Sequence, residues 1–124
     1  MSPSDLVKRF LQAWNDNDLD LAHSFLADDL VYQNVPAPPM IGVEAARQFA
    51  DDFGVGTRWI ANWQLINIAE AGEIVLTERV DSFTSKEGKT ISAPLMGAFR
   101  VRDGKISEWR DYLDVASFEK QLEA

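Results

Sequence analysis

The chain has 124 residues, no cysteine and a single histidine, His23. The first absence removes disulfides, thiolate nucleophiles and zinc–thiolate sites, and the second removes any metal site built from several histidines. A serine triad would have to take its base from His23, which falls in a helical stretch and is expected to be exposed, so that chemistry is disfavoured. No apolar run approaches the ~20 residues that span a bilayer. The opening MSPSDLVKRF lacks the basic-then-apolar order of a secretory leader, so a soluble, cytoplasmic protein with no membrane partner is expected. Basic residues are in the minority, 12 against 20 acidic ones, for a net charge of −8. A surface of that sign repels phosphate backbones and argues against nucleic acid as a partner.

What is present is apolar surface. Hydrophobic residues make up 46% of the chain, with four Trp and seven Phe. That is enough for one packed core, and the length suits a single domain over 1–124. Ser2-Pro3 reads as a helix start, with Leu6, Val7, Phe10, Leu11 and Trp14 as one stripe. Asp18 caps a second helix with Leu21, Ala22, Phe25 and Leu26 as its buried face. A short strand, 30–34, runs into the rigid loop Val35-Pro36-Ala37-Pro38-Pro39, where proline lacks the N–H that pairing needs. A third helix over 43–53 ends at Gly54, and strands follow at 59–68, 73–84, 90–102 and 105–114, then a short helix over 115–122. Helices first and an antiparallel meander after them define an α+β fold, a curved sheet with helices packed in its concave side around a pocket.

Strand alternation then groups the polar residues. Val75, Thr77, Arg79, Asp81 and Phe83 share one face of their strand, with the Cα atoms of Arg79 and Asp81 roughly 6.5 Å apart. Asp111 stands between Trp109 and Leu113, and Tyr32 and Asn34 point the same way on the first strand. A carboxylate in apolar company is costly unless it is paired. If the three faces turn inward, one cavity receives an arginine, two aspartates, a tyrosine and an asparagine. Alternation says which residues travel together and leaves open which face is inside; an exposed ion pair fits the same pattern.

Three segments carry a resemblance: Tyr32-Gln33-Asn34 with the prolines after it, Thr77-Glu78-Arg79-Val80-Asp81, and Trp109-Arg110-Asp111-Tyr112-Leu113-Asp114. In order and spacing they resemble the limonene-1,2-epoxide hydrolase family, over nearly the whole chain. Gly42 and Gly104-Lys105-Ile106 match as well. The resemblance implies the nuclear-transport-factor-2-like (SnoaL-like) cone-shaped α+β barrel, one-step addition of water to an epoxide, no cofactor or metal, and a homodimer. It implies that Asp111 is the base, that Tyr32 and Asn34 hold the water, that Asp81 is the acid and that Arg79 orients both carboxyls. By the same analogy Leu11, Trp14, Phe53, Leu95 and Leu113 form the substrate wall, which favours an apolar terpene, cyclic or aryl epoxide. Two other readings stay open: a ketosteroid-isomerase-like or polyketide-cyclase-like enzyme on the same fold, and a non-catalytic domain that binds apolar ligands.

Overall fold

A computed structural model of the chain describes all residues 1–124 as four helices and six strands. Helix α1 is Pro3–Asn15, with Ser2 Oγ accepting from the Asp5 N–H at 3.1 Å and proline at the helix start. It ends where Asn17 takes a positive φ of 57°. The last residue of α1 ties it to the sheet: the Asn15 amide donates to the Trp63 carbonyl at 2.8 Å and accepts from the Trp63 N–H at 2.6 Å. The apolar stripe of α1 is buried as expected, with Phe10 fully enclosed and edge-on to Trp14, Phe99 and Trp109. Full burial of a side chain of this size contributes about 1.5–3 kcal/mol.

Helix α2, Leu19–Ser24, is capped by Asp18, which accepts from the Leu21 N–H at 3.2 Å. Three expectations are corrected here. Leu21 is exposed, and Leu26 opens strand β1 (Leu26–Val35) instead of closing the helix. A helix of fewer than two turns has room for only one inward row, and Ala22 and His23 occupy it. His23 is therefore buried, not exposed, with Nδ1 2.7 Å from the Leu19 carbonyl and its ring edge-on to Trp14.

After the proline loop come β2 (Met40–Ile41), a pair too short to read from sequence, and α3, Val43–Phe53. Gly54 closes α3 in the left-handed conformation, φ 96°. The remaining elements are β3 (Trp59–Ala71), β4 (Ile74–Ser85), β5 (Thr90–Arg102), β6 (Lys105–Tyr112) and α4 (Val115–Glu123). The sheet order is β2-β1-β6-β5-β4-β3, and the β1–β6 pairing is parallel while all other neighbours are antiparallel. The result is a curved, unclosed mixed sheet, as the α+β reading anticipated. No helix is long and apolar enough to cross a membrane. Helix α4 buries no residue fully; the Gln121 amide pins it to β5 by donating to the Ser92 carbonyl and accepting from its N–H, both at 2.8 Å.

Candidate active site

The inner face of the sheet is the face that carries Val75, Thr77, Arg79, Asp81 and Phe83, and all five are buried. Pairing decides what meets them. Parallel register sets Asn34 beside Asp111 and Tyr32 beside Trp109. Strand β5 lies between β4 and β6, so Arg79 must reach across it to contact Asp111. It does so. Arg79 Nε and Nη2 donate to Asp81 Oδ1 and Oδ2 at 3.1 and 2.8 Å, and Nη2 also donates to Asp111 Oδ2 at 3.1 Å. Nη1 donates to Thr77 Oγ1 at 3.1 Å. The guanidinium carbon lies 5.7 Å from the ring centres of both Trp63 and Phe99.

One buried cation faces two buried carboxyls. Were both ionised, the cluster would hold a net negative charge away from water, which is costly. Burial accordingly pushes the Asp81 carboxyl from 3.8 up to about 6, against the Arg79 guanidinium, which pulls the other way. Burial alone would weaken the protonation of Arg79, but the charges of Asp111 and Asp81 more than offset it and hold the guanidinium firmly charged. Asp111 Oδ1 has no hydrogen-bond partner, so one acceptor of that carboxyl is uncommitted. Burial, with the Asp111 charge behind it, pushes the Tyr32 hydroxyl well above its usual range and keeps it protonated. Asn34 Nδ2 donates to Tyr32 Oη at 3.1 Å, which leaves the hydroxyl proton free for another acceptor. Tyr32 is held by stacking on Trp109, with centres 4.0 Å apart.

These polar groups open onto a cavity of about 400 Å³ whose lining is mostly apolar. Asp81, Asp111, Tyr32 and Asn34 reach its surface, and Arg79 lies beneath, fully buried. Of the five residues expected in the wall, Trp14, Phe53, Leu95 and Leu113 line it. Leu11 does not; it belongs to the hydrophobic core. The helical stripe identifies the face of α1 that turns inward but not which turn reaches the cavity, and that turn carries Trp14. Sequence reasoning left several wall residues unassigned, among them Trp63, Trp109, Phe83 and Ala93. All four lie on strands, at buried positions of the alternating pattern, and that alternation was the available signal. Val115, Phe118 and Leu122 of α4 complete the lining, with Phe118 against Phe53 and Phe83.

A carboxyl that holds its proton to a higher pH than usual and another with a free acceptor oxygen can give and take a proton on one small molecule. The class defined by fold and site is thus an acid–base pocket on the nuclear-transport-factor-2-like fold. The family follows from comparison. Residues 1–123 match the model of the limonene-1,2-epoxide hydrolase catalytic domain, and the chain belongs to that family. It is 33% identical to the epoxide hydrolase EphG of Mycobacterium tuberculosis, over 94% of this chain and 76% of that protein. A solved structure of an M. tuberculosis LEH-like epoxide hydrolase superposes with a TM-score of 0.82 at 32% identity, covering 96% of this chain and 87% of the other. A putative polyketide cyclase from Xanthomonas campestris superposes with a TM-score of 0.77 at 26% identity, covering 97% of this chain and 96% of the other.

Proposed function

We propose that the protein hydrates an apolar epoxide to a vicinal diol in a single step. The observation that carries this reading is one buried guanidinium, Arg79, bonded at once to carboxyls from two strands at the floor of an apolar cavity. In the proposed reaction a water rests between Tyr32, Asn34 and Asp111. Asp111 takes its proton as the oxygen attacks an epoxide carbon. Asp81 gives a proton to the ring oxygen as the C–O bond breaks, which avoids release of a poor alkoxide leaving group. After ring opening Asp111 carries the proton taken from water and Asp81 is ionised; proton exchange with solvent through the cavity resets both, while Arg79 stays charged throughout. General acid and general base assistance are each worth about 10²–10⁴-fold. The wall of Trp14, Phe53, Leu95 and Leu113 selects terpene, cyclic or aryl substrates by shape and apolarity, and the reaction needs no cofactor.

The test is a panel of styrene, cyclohexene and limonene oxides, offered to the wild type and to Asp111→Asn. Diol from the wild type and a loss of about 10²–10⁴-fold in a folded Asp111→Asn variant are expected. Equal rates would remove Asp111 from the mechanism. Label from heavy-oxygen water found in an aspartate would replace direct hydration by a covalent route. The similarity to a cyclase keeps a second reading in view, in which Tyr32 donates to an enolate oxygen. Turnover of a steroid enone without any diol would favour it. The same proposal includes a homodimer. The outer sheet face exposes Leu76, Met96 and Tyr112, rimmed by Arg100 and Arg110 together with Glu73, Glu78 and Glu108. Both charge signs in one rim suit a self-complementary two-fold contact, and light scattering of the purified chain tests it.

A further inference from the structure

Arg79 and Asp111 are two strands apart, and Gly97 of β5 is the residue between them. In register, Gly97 pairs with Thr77 on one side and with Asp111 on the other. Its neighbours on the inner face, Leu95 and Phe99, carry large buried side chains. A Cβ built on Gly97 would lie 2.3 Å from Arg79 Nη1, 2.7 Å from Asp111 Oδ1 and 2.9 Å from Thr77 Oγ1. All three distances are too short for any real Cβ. The backbone of Gly97 does not lie in the left-handed region, so its conformation alone does not call for glycine. A glycine inside a strand costs about 0.5–1 kcal/mol relative to alanine, and the usual reason to keep one is close approach of another group. Here that group is the guanidinium itself. Thr77 forms the adjacent wall of the passage: its Oγ1 accepts from Arg79 Nη1 and donates to the Gly97 carbonyl at 3.3 Å.

We propose that Gly97 and Thr77 form a slot across β5 that positions Arg79 against Asp111, so that both are positioning residues for the acid–base pair. This rests on the hydrolase reading for its consequence in rate but not for its geometry. Gly97 supplies the empty volume over which the guanidinium passes. Thr77 fixes the rotation of the guanidinium plane by occupying the nitrogen that neither carboxyl uses. Without the slot Arg79 keeps its two-point contact with Asp81, since that pair is within one strand, and loses Asp111.

The experiment compares Gly97→Ala, Thr77→Val and Thr77→Ser with the wild type by two readouts. The first is epoxide hydration, resolved into kcat and KM. The second is nitrogen NMR of the Arg79 guanidinium, which needs no turnover. Gly97→Ala should lower kcat roughly 10–100-fold with KM little changed, the factor that one charge-assisted hydrogen bond supplies. Thr77→Val should fall in the same direction and Thr77→Ser should restore most of the rate, because only the serine keeps the accepting oxygen. The Arg79 resonances should move in Gly97→Ala and Thr77→Val and return in Thr77→Ser. If Gly97→Ala does not fold, the threonine pair carries the test alone. Unmoved Arg79 resonances in folded variants would overturn the slot. Moved resonances in a protein that hydrates no epoxide would leave the slot standing and remove the hydrolase reading instead.

Discussion

Replacement of Arg79 by methionine keeps much of the side-chain length and removes the only cation in the cluster. Four hydrogen bonds are lost, three of them to carboxyl oxygens. Taken singly, bonds to charged groups are worth about 1.5–3 kcal/mol each, but they share one guanidinium and do not add. The better guide is the cost of orphaning a buried ion partner, about 3–5 kcal/mol. The cluster has one escape, which is to take up protons. Asp81 already stands at about 6 with Arg79 beside it, because burial outweighs the cation. Loss of the cation pushes it higher. A carboxyl raised in the folded state favours folding at low pH, and that benefit fades as pH rises from the unfolded value of 3.8 through the folded one. Arg79→Met is therefore expected to lose about 3–5 kcal/mol near pH 8 and far less near pH 4. For a domain of this size that corresponds to a fall in Tm of about 10–20 °C at the higher pH. Urea unfolding of both proteins at the two pH values measures the difference directly. A loss below about 1 kcal/mol at pH 8, or one equal at both pH values, would mean that the cluster is solvated and would refute the argument.

Further expectations follow from the same geometry. The acid role of Asp81 requires its proton, so kcat/KM should decline as pH rises through about 6, and a profile flat to pH 9 would contradict that role. Burial holds His23 below its usual 6.5, against its bond to the Leu19 carbonyl, with Arg47 lowering it and Asp51 and Asp20 raising it. The neutral ring is thus the folded form, and stability from this site is present above 6.5 and lost as pH falls below it; His23→Gln should flatten that part of the stability–pH curve. Ala93 pairs with Asp81 and lines the cavity, so Ala93→Leu should raise KM for bulky epoxides more than for styrene oxide, as a substrate series would show.

Much of the site was legible because strand alternation is strict. Once Arg79 and Asp81 lie on one strand they must share a face, and Tyr32 must travel with Asn34. Helix limits were legible where chain chemistry is local, as at the Ser2 and Asp18 caps and at Gly54. The α2–β1 boundary was not, since Leu21, Phe25 and Leu26 satisfy a helical period as well as they satisfy a turn followed by a strand. His23 and Leu11 failed for a related reason: a period gives a direction around a helix, and burial or cavity contact depends on what stands opposite.

The sequence by itself determined the residue types, their grouping by face and the need of each buried carboxyl for a partner, because these follow from backbone period and solvation. Only the tertiary structure decided that the charged face turns inward, that β1 runs parallel to β6 so that Asn34 meets Asp111, and that β5 comes between Arg79 and its second carboxylate. Those are facts of strand order and register between segments distant in the chain. No local rule encodes them, and the glycine that lets the guanidinium cross β5 gains its meaning only once that order is set.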